Sequence, residues 1–381
     1  MKFYLIAGEA SGDLHASNLM RELKLLDDKA SFRFWGGDLM KEQACPDRGI
    51  GGGELVKHYH ELAFMGFTEV VMNLRTIFKN IAFCKKDILT NRPDVLILVD
   101  YPGFNLRIAE FAKKNGIRVF YYISPQIWAW KKSRVYKIKK YVDRMFVILP
   151  FENEFYKKFD CEVDFVGHPL LDALESRKKI KQPFSEFVQQ NGLNEKPIIA
   201  VLPGSRKQEI EMMLPVMAET FSSFPDYQFV IAAVSAHDLK FYSKLIGKKD
   251  VKILFGKTYD LLEQSYAAMV TSGTATLETA LFGIPEVVCY KGGEISFQIA
   301  KRLVKVDFIS LVNLIMGKEV VKELIQKEFN SKNLTIELEK IINKGENREK
   351  MILELTELKN KLAGSGASKK TAKLMLGYLK R

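Results

Sequence analysis

Thr271-Ser272-Gly273-Thr274-Ala275-Thr276-Leu277-Glu278 carries the residue types that can grip a nucleotide. The apolar run Ala267-Ala268-Met269-Val270 before it reads as a buried parallel strand. From Thr274 the pattern turns helical, and Gly283-Ile284-Pro285 stops it. A strand that ends in a tight turn and starts a helix leaves first-turn N–H groups without intrahelical partners, at the positive end of the helix dipole. Gly273 lets a phosphate approach the backbone, and Ser272 and Thr274 add hydroxyls. Glu278 follows Thr274 by one helical turn and can accept two hydrogen bonds from a ribose diol. The spacing suggests a nucleoside diphosphate. A Thr-capped helix with a surface glutamate explains the same residues, and from this stretch alone both readings stand.

Other residues sit where strands end. Asp100 closes the apolar strand Asp94–Val99, where a carboxylate can take a proton from a hydroxyl nucleophile; a turn or cap aspartate is the plainer alternative. Pro203-Gly204-Ser205-Arg206 follows the strand Ile198–Leu202. A guanidinium at such a turn can clamp a pyrophosphate and neutralise charge as it leaves, and the adjoining Gly204-Ser205 favours that over a surface arginine. Gly8-Glu9-Ala10-Ser11-Gly12-Asp13 follows the strand Lys2–Ala7, and Ser11 or Asp13 can cap a helix from about Asp13 to Leu26. The turn is not a dinucleotide fingerprint. His168 in Gly167-His168-Pro169 could donate to a phosphate or sugar, or be a turn histidine; His15 is a weaker candidate. No carboxylate or histidine cluster suggests a metal, so the expectation is no metal and no cofactor.

These positions need an α/β framework. At 381 residues, two domains are expected, and an apolar content of 47% with 27% charged residues fits a globular protein. Strands separated by helices recur twice, with a charged, polar stretch at 173–196 between them read as a linker. Residues 334–381 read as helical, broken at Gly364-Ser365-Gly366. The four cysteines (Cys45, Cys84, Cys161, Cys289) form no CxxC pair and read as reduced thiols of a cytoplasmic protein; no signal peptide or membrane span is apparent. The net charge of +12 fits anionic substrates, an anionic membrane surface or nucleic acid, but no nucleic-acid-binding motif is present. The densest basic run is 131–140, just after Trp128-Ala129-Trp130. Residues 62–83 are unusually apolar, with Phe64, Met65, Phe67, Val70, Val71 and Leu74. Arg75 and Lys79 are interleaved, which is either a core helix or a lipid-facing patch.

Several motifs occur together and in order: Gly8–Asp13, Met65-Gly66, Asp100 with Phe104-Asn105, Ser124-Pro125-Gln126-Ile127-Trp128-Ala129-Trp130, Gly167-His168, Leu202–Arg206, Ser272–Glu278 and Val312-Asn313-Leu314. Each is weak alone, but the ordered set covers nearly the whole chain and resembles the lipid-A-disaccharide synthase family of glycosyltransferases. The resemblance implies a GT-B fold: two Rossmann-like, doubly wound α/β domains facing each other across a cleft. Residues 1–172 would take the lipid acceptor and carry the membrane-facing segment 62–83. Residues 197–354 would take the UDP-sugar donor, and helices within 355–381 would cross back to the first domain.

The implied reaction is an inverting, metal-independent transfer from UDP-2,3-diacylglucosamine to the 6-hydroxyl of 2,3-diacylglucosamine 1-phosphate (lipid X), with UDP as the second product. The family's residues map onto this chain with Asp100 as base. Ser205, Arg206, Ser272, Gly273, Thr274, Glu278 and Asn313 would lie around the UDP, and Gly8, Ser11, Gly12, Asp13 and His168 on the acceptor side. The resemblance also implies a cytoplasmic protein held peripherally at the anionic inner-membrane surface; a homodimer is left open. Gln126 and Lys207-Gln208-Glu209 depart from the family pattern and leave individual contacts open. Two rivals are carried forward. One is another GT-B enzyme on UDP-GlcNAc-type donors, either a 2-epimerase or a lipid-linked N-acetylglucosaminyltransferase. The other is a non-catalytic, membrane-associated nucleotide-sugar sensor.

Overall fold

The computed structural model describes residues 1–45, 52–61, 74–130, 132–177, 182–247, 249, 251–293, 297, 307–362 and 364–380. The chain divides into two compact units, Met1–Ser176 with Leu362–Arg381, and Arg177–Lys361.

The first unit is built on a seven-stranded parallel sheet: β1 (Lys2–Ala7), β2 (Ser31–Gly36), β3 (Gly53–His58), β4 (Val95–Val99), β5 (Arg118–Tyr122), β6 (Arg144–Val147) and β7 (Asp164–Phe165). Its order is β3-β2-β1-β4-β5-β6-β7. Central strands such as Val95-Leu96-Ile97-Leu98-Val99 are apolar throughout because helices cover both faces of a parallel sheet. The order reverses between β1 and β4, which opens a crevice at their C-terminal ends. The last helix, Ala367–Leu379, returns to this unit and packs on the helix Ala10–Leu26. Asp172 holds its start, accepting from the amides of Gly366, Ala367 and Ser368.

The second unit has a six-stranded parallel sheet: β8 (Ile198–Leu202), β9 (Gln228–Ala233), β10 (Lys252–Phe255), β11 (Ser265–Thr271), β12 (Glu286–Tyr290) and β13 (Lys322–Ile325). Its order is β10-β9-β8-β11-β12-β13, so the reversal falls between β8 and β11.

The structure differs from sequence expectation in four places. The first helix begins at Ala10, with Glu9 as N-cap and no capping side chain; neither Ser11 nor Asp13 caps it. The stretch 173–196 is not simply a linker: helices Leu170–Arg177 and Phe184–Asn191 occupy much of it, and Phe187 and Val188 are buried. The helix Glu346–Lys361 belongs to the second unit, so the chain passes to the first at Leu362 and not near 355. Strands β3 and β13 were not anticipated; both are edge strands, short and carrying charge.

Candidate active site

In the first unit the Gly8 turn follows β1 and Asp100 follows β4, so both stand at the reversal of strand order. Their geometry is enforced by close packing. A Cβ on Gly8 would lie 2.4 Å from the Tyr101 ring, so only glycine fits. Asp100 and Tyr101 both adopt left-handed backbone, with φ of 44° and 49°. Two consecutive non-glycine residues there cost on the order of 1–3 kcal/mol each. Asn105 offsets this: its buried side-chain amide reaches the carbonyls of Asp100 (2.7 Å) and Val99 (3.2 Å), and the Tyr121 hydroxyl also donates to the Asp100 carbonyl at 2.5 Å. The following helix, Pro102–Lys114, has Tyr101 as N-cap and no side-chain cap, so the Asp100 carboxyl is not a helix cap. That carboxyl is pushed up to about 7, first by burial and then by the charge of Glu9, against a smaller opposing pull from the Tyr101 amide. A carboxyl poised near neutrality at a strand-end crevice is suited to accept a proton.

The other sequence candidates in this unit divide. Ser11 is exposed on the first turn of its helix, and Gly12 packs against Ala7 of β1. Asp13 is buried and spent on the backbone, accepting from the amides of Gly37 (2.7 Å), Leu39 (3.0 Å) and Met40 (3.1 Å) at the start of the helix Asp38–Ala44. His168 is also buried: its ring packs edge-on against His15, and its Nδ1 accepts from the Leu170 amide. Burial pushes both imidazoles down, His15 to about 4 and His168 to about 3, so both are neutral at physiological pH. Asp13 and His168 therefore hold the fold in place of an exposed acceptor contact. Phe64, Met65, Phe67, Val70 and Val71 lie outside the described residues, and Leu74 opens the helix Leu74–Asn91.

In the second unit the Gly204 turn follows β8 and the Ser272 turn follows β11, again on either side of the reversal. Gly204 has φ of +110°, and a Cβ there would meet the Glu209 side chain at 2.9 Å. Glu209 reaches back to the amides of Ser205 (3.4 Å) and Arg206 (3.3 Å), and its other oxygen takes the Arg206 guanidinium at 2.7 Å. Arg206 is more than half exposed and is held at the mouth of its own turn. Across the reversal, the helix Thr274–Leu281 has Gly273 as N-cap and no capping side chain, with Gly273 and Thr274 exposed. This decides against the Thr-capped reading and leaves an open helix start, which suits an anion. Ser272 differs from expectation: its amide bonds the Cys289 carbonyl (2.9 Å) and its hydroxyl the Ile309 carbonyl (3.3 Å), so both its donors are engaged within the protein. Glu278 receives the Tyr259 hydroxyl at 2.5 Å, and burial pushes its carboxyl up. Asn313 is fully buried. Its amide donates to Val321 and Glu323 and accepts from the amides of Val320 and Val321, so its capacity is filled by the protein. It braces the unit instead of presenting a group to a ligand.

The family described as Lipid-A-disaccharide synthetase matches residues 3–375. The chain belongs to the lipid-A-disaccharide synthase family. It is 40% identical to the lipid-A-disaccharide synthase of Syntrophus aciditrophicus, over 99% of this chain and 97% of that one. It is 38% identical to that of Geobacter metallireducens, over 98% and 96%. Among solved structures it is similar to a UDP-GlcNAc 2-epimerase from Neisseria meningitidis bound to UDP-GlcNAc, with TM-score 0.69, 14% identity and coverage of 99% and 100%. It is also similar to a Methanocaldococcus jannaschii UDP-GlcNAc 2-epimerase in complex with UDP-GlcNAc and UDP, with TM-score 0.64, 15% identity and coverage of 99% and 100%. At that identity the epimerases share the GT-B fold alone. The chain is a glycosyltransferase of the hexosyltransferase class.

Sequence reasoning passed over the residues that hold the candidates in place. Glu9 and Asn105 were quoted in motifs without a role, and Tyr121, Tyr259, Glu209 and Glu323 were given none. Glu209 alone had a local signal, an acid three residues after a helix start.

Proposed function

We propose that the chain joins two acylated glucosamines, transferring 2,3-diacylglucosamine from UDP-2,3-diacylglucosamine to the 6-hydroxyl of 2,3-diacylglucosamine 1-phosphate. Asp100 takes the proton of the acceptor hydroxyl as its oxygen bonds to the anomeric carbon. The bond from that carbon to the diphosphate oxygen breaks, the configuration inverts, and UDP leaves with the electron pair. Arg206 and the open start of the Thr274–Leu281 helix face the leaving diphosphate, and Glu278 faces the ribose. Gly8 and Ser11 border the acceptor. Family membership supports the reaction, and the observation that carries the roles is the pairing of each candidate set with a reversal of strand order.

The lipid chains of both substrates call for a membrane surface. Among the described residues no helix is long and apolar enough to cross a membrane. The helix Leu74–Asn91 instead carries an outer stripe of Arg75, Phe78, Lys79, Ala82, Phe83, Lys86 and Leu89, all exposed and none acidic. This stripe, on the helix that follows the apolar segment 62–73 in the sequence, fits peripheral attachment to an anionic cytoplasmic leaflet more directly than the basic run 131–140 does. Asp100→Asn tests the assignment of roles. The variant is expected to bind UDP as the wild type does while losing about 10²–10⁴-fold in turnover, the range for general-base removal. Unchanged turnover would remove Asp100 from the chemistry.

A further inference from the structure

Glu323 lies on the edge strand β13, where a carboxylate would ordinarily face water, yet it is only 8% exposed. Among the described residues its side-chain hydrogen bonds all come from residues 309–313. One oxygen accepts from the Ile309 amide at 2.9 Å; the other accepts from the Ser310 amide and the Asn313 side-chain amide, each at 2.9 Å. Asn313 locks the arrangement from behind, and its own amide is received by the Ser310 hydroxyl at 3.2 Å. The Ile309 residue thus has its N–H fixed by Glu323 while its carbonyl accepts the Ser272 hydroxyl. Ser272 is the residue from which the Gly273-Thr274 helix start departs. A continuous chain of hydrogen bonds therefore runs from β13 to the open helix start. Its other tie is the Ser272 amide on the Cys289 carbonyl of β12.

We propose that Glu323 is a positioning residue for the diphosphate-binding turn, acting through the Ile309–Ser310 backbone and the Ser272 hydroxyl. A buried carboxylate is a poor device for stability alone, because its desolvation opposes the hydrogen bonds it makes. It is a good device for fixing a backbone segment whose placement matters, since two oxygens can hold several donors at once. The proposal rests on the Ser272–Thr274 turn being the UDP site.

The test is UDP titration by calorimetry on wild type, Glu323→Gln, Ser272→Ala and the double variant, with thermal melts alongside. Glu323→Gln replaces one accepting oxygen with an amide that cannot accept. It is expected to weaken UDP roughly tenfold, the scale of one charge-assisted hydrogen bond. The double variant should bind no more weakly than Glu323→Gln, because both changes cut the same strut. Wild-type affinity in Glu323→Gln, or losses that multiply in the double variant, would overturn the proposal; a general loss of stability would lower the melts without producing that non-additivity. If Glu323→Gln does not fold, hydrogen exchange on the wild type decides. UDP should slow exchange at residues 309–310 together with 273–276. Slowing at 273–276 alone overturns the strut, and failure of the wild type to bind UDP overturns the donor-site reading itself.

Discussion

Asp100 owes its poise to two causes that can be separated, burial and the neighbouring Glu9 charge. As a base it works only when ionised, so kcat/KM is expected to fall as pH drops through an apparent pKa near 7. Glu9→Gln removes a like charge, so the acid limb should move to lower pH; a limb that stays put would mean Glu9 does not act on Asp100. The same shift has a stability consequence. A carboxyl raised in the folded state contributes most below its unfolded pKa, and that contribution is lost as pH rises from about 4 toward 7. Asp100→Asn should therefore melt higher than wild type at pH 8 and equally at pH 4, while inactive. Asp100 stood out because it directly follows an apolar strand, and Arg206 because it closes the short Pro203-Gly204-Ser205 turn after another. Their partners did not. Tyr121 and Tyr259 reach Asp100 and Glu278 from other strands and helices, across separations that no local pattern encodes. Asn313 shows the reverse: its motif marked it, but its burial turns it from a contact into a brace.

Central strands were readable as continuous apolar runs because both their faces are covered, whereas β3 and β13 lie at sheet edges and mix charge with apolar residues. The return of the last helix depends on a contact that sequence spacing does not reveal. Asp172, 194–196 residues upstream, caps it with one carboxylate on three amides. Asp172→Ala is expected to lower stability by about 1–2 kcal/mol, the upper range for a helix cap, and to speed amide exchange at 366–370. Unaltered exchange there would mean that packing on the Ala10–Leu26 helix suffices. Glu286 on β12 is fully buried, and neither of its carboxylate oxygens finds a partner among the described residues. Burial pushes its pKa well above the ordinary glutamate value, so the folded protein carries it neutral and loses stability as pH climbs above about 4.5. Glu286→Gln should flatten that decline, seen as a higher melting temperature at pH 8 with little change at pH 4.5; a parallel decline in both proteins would exonerate Glu286.

For the whole molecule, the sequence disclosed the family through the order of weak motifs along the chain, and the fold through two rounds of strand and helix. It did not disclose which surface is apolar, because that depends on which face of the helix Leu74–Asn91 the core takes. Ile81, Cys84 and Ile88 go inward, and Phe78 and Phe83 stay out. With a net charge of +12, attachment to anionic vesicles should weaken as salt rises, since roughly 1 kcal/mol per basic side chain near the surface is screened. Phe78→Ser should reduce flotation with such vesicles without lowering the melting temperature; flotation that ignores both salt and Phe78 would place the contact elsewhere. The most direct measurement is transfer by the purified chain in mixed micelles with EDTA, using labelled UDP-2,3-diacylglucosamine and 2,3-diacylglucosamine 1-phosphate, separated by thin-layer chromatography. A disaccharide 1-phosphate formed in step with UDP is expected. UDP release without disaccharide, or activity that returns only with added Mg²⁺, would contradict the acceptor or the metal-independent leaving-group site.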